Sequence, residues 1–109
     1  MRLTVDRDVF NEAVSFTAKL LPQRPTQPIL SGVLLFAEND RVELGTFDYE
    51  TSSKTSVNAD IAEAGMALVS GRLLAEIASK LPHHDVEVSK EEDRILIQCG
   101  SASFSLPSM

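Results

Sequence analysis

Apolar and polar positions follow two periods along the 109-residue chain, and the order of those periods is written twice. Leu3-Thr4-Val5 is a short strand with β-branched residues. Asp6 is placed to cap a helix, and Asp8 in its first turn suits the helix dipole. From Arg7 to Leu21 the less polar residues fall at Val9/Phe10, Ala13/Val14, Thr17/Ala18 and Leu20/Leu21, the spacing of an amphipathic helix with one buried face. Pro22 is expected to end it. Ile29 to Ala37 is a short apolar run bounded by turn signals, which reads as a buried strand. Glu38 to Arg41 is a turn. Val42-Glu43-Leu44 alternates as a half-buried strand does, and Gly45 is expected to break or bulge it. Thr51 to Val57 reads as a third consecutive antiparallel strand, and Asn58 to Gly65 as a connector.

The order then returns. Met66 to Val69 is a strand. Ser70 can cap a helix from Gly71 to Lys80, with Leu73/Leu74, Ile77/Ala78 and Leu81 on one side and Pro82 as the stop. Val86-Glu87-Val88 and Ile95-Leu96-Ile97 flank a turn over Lys90 to Asp93. Gly100-Ser101 turns the chain into a last strand, Ala102 to Leu106. The expected fold is therefore α+β: a two-layer domain of two βαβββ halves, with both helices on one face of antiparallel sheets. The chain is expected to be one domain, residues 1–109.

Between the first helix and the long apolar strand lies Arg24-Pro25-Thr26-Gln27-Pro28. The two prolines fix φ and hold each preceding residue in extended geometry, so Arg24 sits on a stiff loop. Either the loop is a plain connector, or it presents Arg24 to a ligand.

Charge changes the picture next. The formal net charge is −6, which taken alone argues against a protein that holds nucleic acid by neutralising phosphates. The distribution is uneven: Glu38, Asp40, Glu43, Glu91, Glu92 and Asp93 cluster in hairpin regions. Lys19, Arg24, Arg72 and Lys80 lie in or beside the helices, in company with Asp8, Glu12 and Glu76. The lone cysteine, Cys99, excludes an internal disulfide and fits a reducing compartment. Without a signal-like segment or a long apolar run, the expected location is the cytoplasm.

Catalytic chemistry finds little support. His83-His84 lacks the further ligands of a zinc set, so the bland reading is a pair of solvated loop histidines. Cys99 has no activating base nearby in sequence. Asp48 and Glu50 share one side of an extended segment without an acid–base partner. The glycines are scattered and form no phosphate loop. No enzyme activity and no cofactor or metal are expected. At the other end, Ser103-Phe104-Ser105-Leu106 alternates, and a terminal strand at a sheet edge is an available pairing surface.

Taken together, Met1-Arg2-Leu3-Thr4-Val5-Asp6-Arg7, the loop Arg24-Pro25-Thr26-x-Pro28-Ile29-Leu30, Leu34-Leu35, Asp48-x-Glu50 and the ending Phe104-Ser105-Leu106-Pro107 resemble the first domain of the bacterial DNA polymerase III beta subunit, the sliding clamp family, in an actinobacterial version. The resemblance covers essentially the whole chain. It implies a processivity component without catalytic residues. Three such domains per chain, and two chains head to tail, would encircle duplex DNA, tether the replicative polymerase for DNA replication and meet a clamp loader. Second and third domains are absent from this chain, and with them the family's peptide-binding pocket.

Carried over by position, Arg24 and Arg72 are the DNA-facing bases the resemblance implies, with Lys19 and Lys80 added from charge and placement. Leu73, Ile77, Leu81, Phe104 and Leu106, with Arg94 as an interface charge, are the implied ring-closing surface. Leu73, Ser101 and Ser103 stand where some members have basic residues, so ring closure would rest more on apolar contact. Phe47 replaces a small polar residue. The alternative is a free-standing interaction module that binds or caps a clamp and regulates ring closure, with Phe104 and Leu106 exposed for it.

Overall fold

The structure is a computed structural model; it describes residues 1–21, 31–47 and 52–109, and only the backbone of Phe47 and Ser52. Among these residues the elements run β1 (Arg2–Val5), α1 (Arg7–Lys19), β2 (Gly32–Glu38), β3 (Arg41–Phe47), β4 (Ser52–Asn58), β5 (Asp60–Glu63), β6 (Gly65–Ser70), α2 (Gly71–Ser79), β7 (Val86–Glu91), β8 (Arg94–Cys99) and β9 (Ala102–Pro107). Both caps are made by the side chains expected from sequence: Asp6 accepts from the Val9 N–H and Ser70 from the Leu73 N–H. Each satisfies one of the amides left unpaired at a helix start.

Each half lends its leading strand to the other. One sheet has the order β4-β3-β2-β6, the other β5-β1-β7-β8-β9, and every pairing is antiparallel. The exchange makes the sheets equivalent row by row. Ala67, Leu35, Leu44 and Thr55 stand side by side across the first sheet. Leu3, Val88, Ile97 and Phe104 do so across the second. The apolar members of these rows, with Phe10 and Val14 of α1 and Leu74 and Ala78 of α2, form one continuous core. Sequence periodicity shows the halves but not the exchange, because a strand's hydrophobic face does not say which edge it will join.

Helices α1 and α2 pack on each other, α1 also on β3 and β4, and α2 on β6 and β9. The Arg7 guanidinium Nε donates to the Leu81 carbonyl at 3.1 Å and ties the start of α1 to the residue beyond the end of α2. The helices therefore run antiparallel, side by side.

Several boundaries differ from the sequence reading. Helix α1 stops at Lys19 with Leu20 as its C-cap, two residues short, and α2 stops one residue short at Ser79. Such end turns fray readily. Strand β3 runs unbroken through Gly45, which pairs with Leu34 on one side and Lys54 on the other. No bulge forms because the ladder is continuous on both edges. The connector after Asn58 contains a strand, β5, paired with β1. It is exposed apart from the half-buried Ile61, and one inward apolar residue leaves no periodic signal to read. Pro22, Ile29, Leu30 and Thr51 lie outside the described residues.

Candidate nucleic-acid interface

The helix layer gathers three of the four expected bases. Lys19 ends α1, Arg72 sits in the first turn of α2 and Lys80 caps its C-terminus, all exposed. None of the three is ion-paired with a described residue. Lys19 and Lys80 lie where a cation suits the helix dipole; Arg72 lies where it does not, and α2 has no acid in its first turn to offset it. Asp8, Glu12 and Glu76 are exposed on the same two helices, so the layer is mixed in charge. Arg24, Asp48 and Glu50 lie outside the described residues, as does the side chain of Phe47.

The expected docking end, α2 with β9, separates into two tiers. Strand β9 is the outer strand of its sheet, paired only with β8 along its length. Leu73 is 41% exposed, and Ile77 and Phe104 are half-buried against the core. Leu106 is 1% exposed, which corrects its reading as an exposed residue, and Leu81 is 3% exposed. The alternation of β9 turns Leu106 inward opposite Ile95, while Leu81 closes the core after α2. Arg94 is exposed, and its Nε donates to Ser105 Oγ at 2.8 Å across the β8–β9 pair.

The remaining candidates have ordinary roles. His83 is exposed with its Nδ1 3.9 Å from Asp8 Oδ1. Among the described residues no group of three or more His, Cys, Asp or Glu is placed to hold a metal ion. Cys99 is buried and its thiol donates to the Pro82 and His84 carbonyls, both at 3.2 Å. No helix among the described residues is long and apolar enough to cross a membrane.

Sequence reasoning missed the opposite end of the domain. There Val9, Glu12, Ala13, Ser15, Phe16 and Lys19 of α1, with Thr55 and Val57 of β4, line an open groove of about 530 Å³. A signal was available in Phe16, which falls outside the pairs read as the buried face and is 55% exposed; Leu20, read on that face, is 44% exposed, because α1 ends at Lys19 and Leu20 is its C-cap.

Comparison with known proteins agrees with this architecture. The family model for the DNA polymerase III beta subunit, N-terminal domain, matches residues 1–109. The chain belongs to that family. It is similar to the beta sliding clamps of Streptomyces coelicolor, 48% identical over all of this chain and 29% of that protein, and of Micrococcus luteus, 45% identical over all of this chain and 35% of that protein. Caulobacter crescentus pol III beta has the same fold, with a TM-score of 0.92 at 34% identity over all of this chain and 30% of that one. This clamp-family chain thus spans about a third of the length of the curated relatives it matches.

Proposed function

We propose that the chain is the first of three domains in a DNA sliding clamp, a ring of two chains that encircles duplex DNA and tethers the replicative polymerase. The observation that carries this reading is the match of the entire chain, in sequence and in fold, to the opening domain of clamp proteins. In this assignment Arg24, Arg72, Lys19 and Lys80 face the DNA. Arg72 supports it best, since a cation in the first turn of α2 costs about 0.3–1 kcal/mol against the helix dipole and no acid among the described residues pairs with it. A ring holds DNA by topology, so a weak mixed-charge lining suffices, and few neutralised phosphates mean a shallow salt dependence. Leu73, Ile77 and Phe104 form the ring-closing surface with Arg94 at its rim, while Leu81 and Leu106 support it from beneath. No catalytic role is assigned to any residue, and polymerase and loader meet domains beyond this chain. The capping-module alternative has no observation of its own in support.

The native size of the protein in its source cells tests the reading. An antibody against this domain should detect a band about three times the 11.9 kDa of this chain. A native band at 11.9 kDa would sink the three-domain assignment.

A further inference from the structure

The last residues cross from one sheet to the other. Strand β9 ends at Pro107, and Ser108 then pairs with Val69 of β6 in an antiparallel bridge. The Met109 N–H donates to the Leu68 carbonyl at 2.7 Å, and the Ser108 N–H steadies the crossing by donating to the Asp93 carbonyl, also at 2.7 Å. Ser108 and Met109 thus begin a further strand on the outer edge of the β4-β3-β2-β6 sheet. Beyond Leu68 no named strand meets that edge, since β6 is paired along its length by β2 alone. Successive residues of an antiparallel strand turn their N–H and C=O to opposite edges. Leu68 faces outward, as its bond to Met109 shows, so Met66 does too. The Met66 carbonyl meets the ammonium of the exposed Lys90 at 3.4 Å.

The sheet face beside this edge is apolar. Leu34 pairs with Leu68 and Phe36 with Met66, while the residues between them, Leu35 and Ala67, point into the core. The two pairs therefore lie on the face turned away from the core. Leu34, Phe36 and Leu68 are half-buried and Met66 is 51% exposed. The Met109 side chain, 50% exposed, lies with Leu68 over Gly32 and extends the strip to the end of the chain. Contiguous apolar side chains on an outer face mark a surface that something covers.

We propose, with the three-domain reading supplying the segment concerned, that this strip seats the chain that follows Met109 in the full-length protein. That segment continues the pairing along β6 and covers Met66 and Phe36. The register begun at Val69–Ser108 and Leu68–Met109 sets the second residue past Met109 opposite Met66. Its side chain then falls on the apolar face, and its N–H points at the Met66 carbonyl in place of Lys90. The first residue past Met109 falls opposite Ala67 and points inward. The domain thereby fixes the direction in which the chain leaves it.

Amide exchange and peroxide labelling test this on three proteins: the 109-residue chain, the full-length protein, and a full-length variant with proline at the second position past Met109. Proline has no N–H to give to the Met66 carbonyl. In the full-length protein the Met66 amide should exchange at least about tenfold more slowly than in the 109-residue chain. The Met66 sulfur should be oxidised to the sulfoxide about tenfold more slowly as well. The proline variant should lose most of both protections, while the Ala67 amide, turned toward β2, keeps its own. A longer protein whose Met66 exchanges and oxidises as fast as in the 109-residue chain overturns this inference alone, as does a proline variant that keeps both protections. A native product that ends at Met109 overturns it together with the three-domain reading.

Discussion

Truncating Leu106 to alanine separates the buried tier of the α2/β9 end from its exposed tier. Leu106 lies on the outermost strand of its sheet, yet it is 1% exposed. Leu→Ala removes three methyl or methylene groups, worth about 2.4 kcal/mol at roughly 0.8 kcal/mol each. The cavity left against Ile95 and the rest of the core adds to this, and the total falls at about 3 kcal/mol, inside the range for buried leucines. A domain of this size is stable by about 5–15 kcal/mol, so the variant should still fold but with much of its margin gone. The melting temperature should fall by roughly 12 °C or more. Leu73→Ala on the exposed side of α2 should change stability by less than about 0.5 kcal/mol, since alanine is the better helix former there. The assay is urea unfolding followed by far-ultraviolet circular dichroism, as the chain has no tryptophan to report on packing. A loss below about 1 kcal/mol for Leu106→Ala, or an equal loss for the two variants, would refute the two-tier description of this end.

Other substitutions probe the elements that frame the site. Gly65→Ala places a Cβ 2.9 Å from the Met1 Cβ and 3.2 Å from its backbone nitrogen, so urea unfolding should show a loss of about 1–3 kcal/mol from overpacking at the start of β6. Gly100→Ala meets both a φ of +61° and the His84 ring at 2.6 Å; it should cost at least about 1 kcal/mol and shift the His84 resonances in an NMR spectrum. Ser70→Ala removes the α2 cap and should cost about 1 kcal/mol, whereas Ser70→Asp should restore most of it. Cys99, buried and hydrogen-bonded, should react with a thiol reagent at the rate of unfolding in the native protein and at once in urea; rapid labelling of the folded chain would contradict its placement.

What sequence revealed follows from which interactions are local. Caps at Asp6 and Ser70 depend on residues three apart, and both were legible. The amphipathic helices and the alternating strands were legible for the same reason, since their periods are written in neighbouring positions. The exchange of β1 and β6 between sheets is a choice of edge, not of period, and it was not legible. Strand β5 failed for want of apolar residues, and Gly45 misled because glycine weakens a strand without having to break it. At the candidate site, resemblance assigned Leu73, Ile77, Leu81, Phe104 and Leu106 alike to a ring-closing surface; Leu73 is exposed, Ile77 and Phe104 are half-buried, and Leu81 and Leu106 are buried, because the depth of a side chain below the surface is a property of packing that spacing cannot give. Arg72 was singled out by the resemblance, and its unfavourable place on the helix dipole was already legible from the Ser70 cap, which puts it in the first turn of α2.

The central claim is that this domain forms part of a ring that holds DNA by enclosing it. Retention on circular DNA tests it most directly, using a hybrid in which this chain replaces the corresponding 29% of the Streptomyces coelicolor clamp. After loading onto a nicked circle, the account predicts that the hybrid stays bound through a high-salt wash and is released when the circle is cut at one site. Release by salt from the intact circle, or retention on the cut DNA, would contradict it.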